Sequence, residues 1–312
     1  MTLFLSVMVA LILDRVFAEP RRWHPLVGFG KLADWLEKIL KPRCEGYIAG
    51  VIALALAIAP FTFLAWWFES QWSLDSEPSS VNYPYALSAG VVLYLAIGWQ
   101  SLLSHARAVS EPLKIGDMDQ ARYAVSMIVS RDTDGLNEQG IAVAATESVL
   151  ENGADAIFSA LFWFIVGGIP GVVMYRLSNT LDAMWGYRNT RFIKFGWAAA
   201  RFDDLLNLIP ARLTAFTYAV SGKTLCAFHC WRLQANTWKS PNAGPVMASG
   251  AGALNVSLGG GAIYHGQWQD RPSLGPEFGS PANADTIKQA CGLVNRSLLL
   301  WGGLLFCYGL WI

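Results

Sequence analysis

The sequence is poor in charged residues and has no net charge. Of its 312 residues, 15% are Asp, Glu, Lys or Arg, whereas soluble domains carry about 25%. The 23 basic and 23 acidic residues cancel, and nucleic-acid binding needs a basic face, so no nucleic-acid partner is expected. Hydrophobic residues make up 54% of the chain, and its 14 tryptophans suit a membrane–water interface. This composition predicts an integral membrane protein in a lipid bilayer.

Patterns for zinc binding and disulfides are also lacking. The five cysteines form no CxxC pair, and the four histidines are too dispersed for a zinc site. No small-residue cleavage site follows the apolar start, where Asp14 and Arg15 come first, so we expect a retained first helix rather than a signal peptide. The cysteines are expected to be reduced packing residues.

Apolar segments define the predicted architecture. A membrane helix needs about 20 apolar residues, and no stretch shows the alternation of a substantial sheet. We predict an all-α, multi-pass integral membrane protein with about four to six membrane segments, forming one domain over residues 1–312. Polar cytoplasmic segments are expected at about 105–156 and 176–204, with a C-terminal loop at about 222–296. The apolar segments are residues 2–17, 47–68, 85–103, 157–175, 205–220 and 298–312.

The charge of the loops predicts the topology. The loop 18–46 carries six Lys or Arg residues and the loop 69–84 carries none, so the first is cytoplasmic and the second lies outside. A full crossing by residues 157–175 would then place a basic segment outside. The run from Gly167 to Gly171, which reads Gly-Gly-Ile-Pro-Gly, would break a helix. We therefore predict a re-entrant fourth segment, with one extra crossing as the alternative.

A first polar cluster lies beside the fourth apolar segment. It begins at Arg131 and continues with Glu147, Glu151 and Asp155, which are spaced at i, i+4 and i+8. On a helix this spacing aligns three carboxylates on one face, where Mg²⁺ would remove their mutual repulsion. The alternative is a solvated acidic face.

Two further clusters follow. In one, Arg176 could bind phosphate through its guanidinium fork, with Asn179 and Asp182 nearby; the alternative is an anchor at the membrane interface. In the other, Asp203 and Asp204 could bind Mg²⁺; the alternative is a surface salt bridge between Arg201 and Asp204.

Two nucleotide-like motifs are weak. Ser221-Gly222-Lys223-Thr224 resembles the end of a phosphate-binding loop, but Thr217 replaces the required glycine and no strand precedes it. Gly28-Phe29-Gly30 resembles part of a dinucleotide fingerprint without the surrounding βαβ unit. His24-Pro25 is interpreted as a turn.

Several long motifs in order resemble the CobD/CbiB-type adenosylcobinamide-phosphate synthases, from about residue 10 to 290. Where that family usually has Gly-Asp-Pro in its first loop, this chain has Ala18-Glu19-Pro20. The matching runs are Arg131-Asp132-Thr133, Glu147 to Asp155, Tyr175 to Tyr187, Ala200 to Arg212, Ser240 to Gly244 and Leu258 to Gly260.

The resemblance implies a reaction. Such enzymes join adenosylcobyric acid to aminopropanol or its O-phosphate through an amide at the f propionate, in adenosylcobalamin (vitamin B12) biosynthesis. The resemblance also implies ATP and Mg²⁺, a bacterial cytoplasmic (inner) membrane location with a cytoplasmic active site, and leaves open a complex with other late-pathway enzymes. The corrinoid is then a substrate and not a cofactor.

The residues expected to act follow from the same motifs. As a hypothesis, Glu147, Glu151, Asn152, Asp155, Asp182 and Asp204 are catalytic; Arg131, Arg176, Asn179, Thr180, Arg188, Arg201, Asn207 and Arg212 bind substrate or phosphate; and Glu151, Asp155, Asp203 and Asp204 bind Mg²⁺.

Two other functions compete with the ligase. A corrinoid transporter would fit charges at membrane depth, but it predicts inverted repeats, which are not evident. A membrane sensor like the AmpE-type relatives of the family would not need the full carboxylate set that this chain retains.

Overall fold

The computed structural model describes residues 1–20, 24–43, 46–73, 81–187, 189–264 and 266–311, with the side chain of residue 73 excepted. The α-helices are α1 (Thr2–Phe17), α2 (Pro25–Leu40), α3 (Gly46–Ser73), α4 (Tyr83–Ala96), α5 (Trp99–Lys114), α6 (Met118–Ser126), α7 (Glu138–Gly153), α8 (Ser159–Trp185), α9 (Trp197–Ser221), α10 (Thr224–Gln234), α11 (Ala243–Leu254) and α12 (Ala284–Trp311). The strands are β1 (Val256–Gly259), β2 (Ala262–Tyr264), β3 (Gln267–Gln269), β4 (Ser273–Leu274) and β5 (Ser280–Pro281).

The helices confirm a multi-pass helical membrane protein. By length and composition, four helical runs within the described ranges could cross a bilayer. Helix α1 coincides with the first predicted apolar segment, and α9 contains the fifth. The four runs are Gly46–Trp72, Tyr83–Lys114, Glu138–Trp185 and Ala284–Trp311.

The chain forms two compact units, each built from separated parts of the sequence. Unit 1 comprises Met1–Gly98, Ser159–Asn207 and Leu304–Ile312. Unit 2 comprises Trp99–Phe158 and Leu208–Gly303.

Small residues bring α3 close to α8 in unit 1. Ala49, Ala53 and Ala57 are fully buried and belong to one apolar cluster with Leu181 and Trp185. Small side chains let helix backbones approach closely in membrane proteins, where packing rather than hydrophobicity drives association. This packing holds the helix that carries the second polar cluster.

The fourth apolar segment turns back on itself at Gly168. The φ of Gly168 is 59°, a left-handed conformation that favours glycine. A Cβ atom on Gly171 would overlap the carbonyl oxygen of Trp163. In an unbroken helix residues eight apart are separated by about 12 Å along the axis. The chain therefore reverses within the fourth apolar segment, and its predicted re-entry into the membrane stays a prediction.

Glu69 satisfies the backbone at this reversal. Its carboxylate accepts a hydrogen bond from the Ile169 amide at 3.3 Å and another from the Tyr85 hydroxyl. An exposed helix break is not tolerated in lipid unless protein groups cover it, because each unsatisfied polar group costs several kcal/mol. Glu69 thus explains how the break persists between membrane helices.

The part of α8 after the break runs antiparallel to α3. At one end Glu69 meets Ile169, and at the other a Cβ on Gly50 would overlap Phe195, whose ring packs on Trp185 at 4.9 Å. The basic segment after α8 therefore lies at the same end as the start of α3. This arrangement removes the conflict with the positive-inside rule.

An ion pair fixes that end of unit 1. Arg191 donates two hydrogen bonds to the buried Glu37, at 2.9 and 2.8 Å, and Lys41 also donates to Glu37 at 3.3 Å. Burial alone would raise the pKa of Glu37, but the hydrogen bonds and charges of Arg191 and Lys41 outweigh it and lower that pKa.

The predicted C-terminal loop over residues 222–296 is wrong. Within unit 2 this region contains α10, the buried helix α11, the five short strands and the start of α12. Strand β1 lies between β4, which is antiparallel to it, and β5, which is parallel, while β2 and β3 form a separate pair. Strands of two to four residues are too short to show an alternating pattern, so the sequence did not predict them.

Helix α11 packs against α7 and α9. A Cβ on Gly250 would meet Leu150, the Ser249 hydroxyl donates to the Ala215 carbonyl at 2.6 Å, and the Tyr218 hydroxyl donates to the Leu150 carbonyl at 3.1 Å. These contacts hold α7, which carries the first polar cluster.

Candidate functional site

A carboxylate–amide cluster forms between α8 and α9 in unit 1. We define it as Tyr175, Asn179, Asp182, Asp203 and Asn207. The Asn207 amide donates to Asp203 Oδ2 at 2.9 Å, and the Tyr175 hydroxyl donates to Asn207 Oδ1 at 3.2 Å. Helical spacing produces the cluster, because Tyr175, Asn179 and Asp182 recur at i, i+4 and i+7 on α8.

Asp203 is the most perturbed group in this cluster. Burial raises its pKa to about 7, and the neighbouring charges of Asp182 and Asp204 raise it as well, while hydrogen bonds from Asn207 and Asn179 oppose the shift. Its Oδ1 atom is buried and has no hydrogen-bond partner among the described residues. A carboxyl group that titrates near neutrality and has a free oxygen is suited to proton transfer.

Arg176 adjoins the carboxylate–amide cluster. It donates from Nη1 to Asn179 Oδ1 at 3.2 Å. Thr180, which was expected to bind substrate, instead donates its hydroxyl to the Arg176 carbonyl at 2.8 Å. Such a bond inside a helix is local, and substrate binding by Thr180 stays a prediction.

Arg201 and Asp204 form the surface salt bridge that was the alternative to Mg²⁺ binding in the third polar cluster. The two side chains lie 3.9 Å apart at i and i+3, and the Arg201 side chain is 63% exposed. An exposed pair of this kind contributes little to stability. Arg201 therefore remains available at the edge of α9.

A buried ion cluster forms in unit 2 around Glu147. The carboxylate accepts hydrogen bonds from Arg131, from Arg271 at 2.6 Å and from the Gly259 amide at 2.8 Å. Glu147 is 3% exposed and both arginine side chains are 10% exposed or less. Glu147 was predicted to be catalytic and Arg131 to bind phosphate. In the structure the two side chains bind each other within this cluster.

Arg271 was missed from the sequence. Its guanidinium also donates to the Tyr264 hydroxyl at 3.0 Å and lies over the Trp238 ring at 4.6 Å. Burial alone would lower the pKa of Arg271, but the charge and hydrogen bond of Glu147 outweigh it and raise that pKa. Because Arg271 is 124 residues from Glu147 and opens a Gly/Pro-rich stretch, no local pattern signalled the contact.

Comparison with known proteins identifies the family. A family model described as "CobD/Cbib protein" matches residues 7–294. The chain is 55% identical over 314 residues to the "Cobalamin biosynthesis protein CobD" of Stutzerimonas stutzeri, covering 100% of this chain and 99% of the relative. A protein of that name from Chromobacterium violaceum is 54% identical over 304 residues, covering 95% and 93%. The chain belongs to the CobD/CbiB family. No solved structure matches it.

The family match spans both clusters. A more distant relative, the "Cobalamin biosynthesis protein CobD" of Mycobacterium tuberculosis, is 39% identical over 285 residues, covering 90% of this chain and 88% of the relative. The chain is therefore a membrane protein of a cobalamin biosynthesis family, and the two clusters lie in the part that defines the family.

The other predicted residues of the first cluster lie at the end of α7 and just beyond it. Residues Ala154–Phe158 form a π-helical turn that contains Asp155. Asn152 donates to the Ser148 carbonyl at 2.9 Å and to its hydroxyl at 3.1 Å. Glu147 is buried whereas Glu151 is exposed, so these two carboxylates differ in their surroundings, and the shared face of the three carboxylates stays a prediction. Catalytic roles for Glu151, Asn152 and Asp155 stay predictions.

The predicted Mg²⁺ ligands were tested against the geometry. Across the described ranges, no group of three or more His, Cys, Asp or Glu side chains is placed to hold a metal ion. Mg²⁺ often takes only one or two carboxylates together with substrate phosphates. Of the predicted ligands, Asp203 and Asp204 adjoin each other on α9 with Asp182 nearby, and their metal role stays a prediction. Glu151 and Asp155 belong to unit 2, and their metal role stays a prediction.

Two predicted phosphate ligands have different outcomes. In unit 2, Arg212 donates to the Leu208 carbonyl at 2.7 Å, to Asn242 Oδ1 at 3.0 Å and to the Pro241 carbonyl at 3.3 Å, so it supports the turn before α11. Arg188 lies outside the described residues.

Proposed function

We propose that this protein is an ATP-dependent amide ligase that makes adenosylcobinamide phosphate from adenosylcobyric acid and aminopropanol phosphate, or adenosylcobinamide from free aminopropanol. Its family membership supports a role in cobalamin biosynthesis. The carboxylate–amide cluster supports acid–base chemistry. We further propose the bacterial cytoplasmic membrane as its location, with the carboxylate–amide cluster reached from the cytoplasm.

The reaction needs two changes before the amide bond can form. Water does not favour condensation of a carboxylate with an ammonium ion, so ATP and Mg²⁺ would activate the carboxylate as an acyl phosphate. The ammonium group must also lose a proton to become a nucleophile. The protein supplies the group that accepts that proton and holds the amine beside the activated carboxyl group.

The buried Oδ1 of Asp203, which has no hydrogen-bond partner in the described part of the chain, is the observation that carries this proposal. In the proposed mechanism Asp203 accepts the ammonium proton, and the amine nitrogen then attacks the acyl carbon and releases phosphate. Asn207 and Tyr175 orient the Asp203 carboxylate through their hydrogen bonds. Arg176 would bind phosphate, and Asp182 with Asp204 would hold Mg²⁺.

A reconstituted assay tests the reaction. Membranes from a bacterium that lacks its cobinamide-forming synthase and expresses this chain are incubated with adenosylcobyric acid, aminopropanol phosphate, ATP and Mg²⁺. The corrinoid is then followed by mass. We expect the mass of the new amide, and none without ATP. Free aminopropanol in a parallel reaction identifies the amine substrate.

Matched variants link the product to the cluster. We expect Asp203→Asn to lower turnover by about 100-fold or more, since general base catalysis contributes at least that much. Asp119→Asn is the control, because the Asp119 side chain is 98% exposed on α6. Absence of product from wild-type protein that is present in the membrane would instead favour a corrinoid transporter or a sensor of the AmpE type.

A further inference from the structure

An apolar cavity lies within unit 1 beside the carboxylate–amide cluster. It has a volume of about 390 Å³ and is lined by α2, α3, α4 and α8. Phe29 and Phe61 contribute aromatic walls, with their ring centroids 6.0 Å apart. Cavities that bind small molecules and cofactors range from about 300 to 1,000 Å³ and are mostly apolar, with a few polar groups. This cavity meets both criteria.

Arg176 is the charged residue that lines the cavity. Its Nε atom is buried without a hydrogen-bond partner among the residues that the structure describes, and Nη1 is held by Asn179. A buried guanidinium N–H that lacks a partner is costly, and an anion would satisfy it well. Asn179 also hydrogen-bonds Asp203, so an anion at Arg176 would lie next to the proposed base.

We propose that this cavity binds the adenine nucleotide of the ligase, with the base between the apolar walls and a phosphate at Arg176. The inference rests on the proposed function. A planar base with an anionic tail matches a cavity whose described lining side chains are apolar except for one guanidinium. Among the other reactants, a corrin ring with its side chains is too large, and aminopropanol phosphate has only a three-carbon apolar part. The adenosyl group of the corrinoid carries no anion for Arg176.

Gly28 allows the cavity to be filled without a clash. It lines the cavity, and a Cβ atom placed on it would meet nothing within 4 Å. The side chain in Gly28→Leu would occupy the space assigned to the base. Gly302→Leu is the matched control, because Gly302 lies inside α12, also has nothing within 4 Å of an added Cβ, and does not line the cavity.

Equilibrium binding of the non-hydrolysable analogue adenylyl imidodiphosphate to detergent-solubilised full-length protein tests the proposal. We expect Gly28→Leu to weaken binding about tenfold or more and Gly302→Leu to match the wild type. Both variants are first checked for the wild-type thermal unfolding temperature and a monodisperse elution profile. Wild-type affinity in a folded Gly28→Leu protein would overturn the proposal.

Competition distinguishes the nucleotide from other occupants. If a phosphate lies at Arg176, Arg176→Gln weakens adenylyl imidodiphosphate more than adenosine. The alternative result is that Arg176→Gln weakens the binding of both compounds equally and that adenosylcobyric acid displaces adenosine. That result would assign the cavity to the adenosyl group of the corrinoid and overturn the nucleotide proposal. A phospholipid that co-purifies with the wild type, is lost in Gly28→Leu and leaves nucleotide affinity unchanged would also overturn it.

The binding measurement is independent of turnover. Nucleotide binding that depends on Gly28, together with no amide product, would contradict the ligase and leave the binding site standing. ATP-dependent product with unchanged nucleotide binding in Gly28→Leu would contradict the site and leave the ligase standing.

Discussion

Asp203 and Glu147 are both buried carboxylates, yet their surroundings differ in charge. Glu147 is compensated by two guanidinium groups and an amide. Asp203 has amide neighbours and the like charge of Asp182, and its Oδ1 has no partner among the residues that the structure describes. Removing a carboxylate that compensates buried cations is costly, whereas a carboxylate without compensation is available for chemistry. We therefore assign stability to the first and proton transfer to the second.

The pKa of Asp203 predicts a pH-dependent stability. It is about 7 in the folded protein against an ordinary value of 3.8, so the folded state binds the proton more tightly than the unfolded state. Stability should fall as pH rises from about 4 to 7, by up to about 4 kcal/mol. Asp203→Asn removes this dependence, and its thermal unfolding temperature should exceed that of the wild type at pH 8 and approach it near pH 4. Parallel curves for the two proteins would contradict the assignment.

Glu147→Gln is expected to destabilise the protein. The substitution leaves two buried arginines without their counter-charge, and breaking a buried ion pair costs roughly 3–5 kcal/mol. Thermal unfolding in detergent measures the effect. Glu151→Gln, at an exposed position of the same helix, should change stability by less than about 0.5 kcal/mol. A Glu147→Gln protein that keeps the wild-type stability but loses activity would instead support the predicted catalytic role of Glu147.

At the scale of the element, the reversal in α8 depends on a single glycine. Gly168 has a positive φ, and a Cβ atom there would collide with the Glu69 carboxylate, while an added Cβ on its neighbour Gly167 would meet nothing within 4 Å. The position therefore requires glycine for both its backbone conformation and its space.

This contrast predicts different effects at adjacent positions. Gly168→Ala should lower stability by roughly 1–3 kcal/mol, because it combines backbone strain with loss of the Glu69 contact. Gly167→Ala should be neutral or slightly stabilising, since alanine favours helix more than glycine does. Thermal unfolding of the two purified variants checks the prediction, and equal effects would mean that Gly168 does not control the reversal.

At the scale of the whole molecule, charge and packing agree on the orientation of unit 1. The end of α2, the start of α3 and the basic segment after α8 lie together, as the contacts of Glu37 and Phe195 require. From the positive-inside rule we predict that this end faces the cytoplasm.

Cysteine labelling checks this topology. In a variant without native cysteines, single cysteines at Lys38 and Lys194 should react with an impermeant reagent only in inside-out vesicles, and one at Tyr83 only in right-side-out vesicles. Tyr83 is 68% exposed and lies at the opposite end of unit 1, two residues before Tyr85, which binds Glu69. Labelling of Lys194 and Tyr83 positions from the same side would contradict the reversal in α8.

The sequence by itself determined the class of protein, most of its apolar helices and the break within the fourth apolar segment. These follow from composition, from loop charge and from the Gly-Gly-Ile-Pro-Gly run, which act locally. Its motifs also identified the residues of the carboxylate–amide cluster, because Asn179, Asp182, Asp203 and Asn207 lie in two nearby helices.

Only the tertiary structure decided which polar residues meet. The pairing of Glu147 with Arg271 joins residues 124 positions apart, and the π-helical turn at Ala154–Phe158 has no local signal. The short strands and the apolar cavity likewise arise from packing between distant segments. Helix periodicity specifies a face within one element, but the partner of that face depends on long-range contacts that a single sequence does not display.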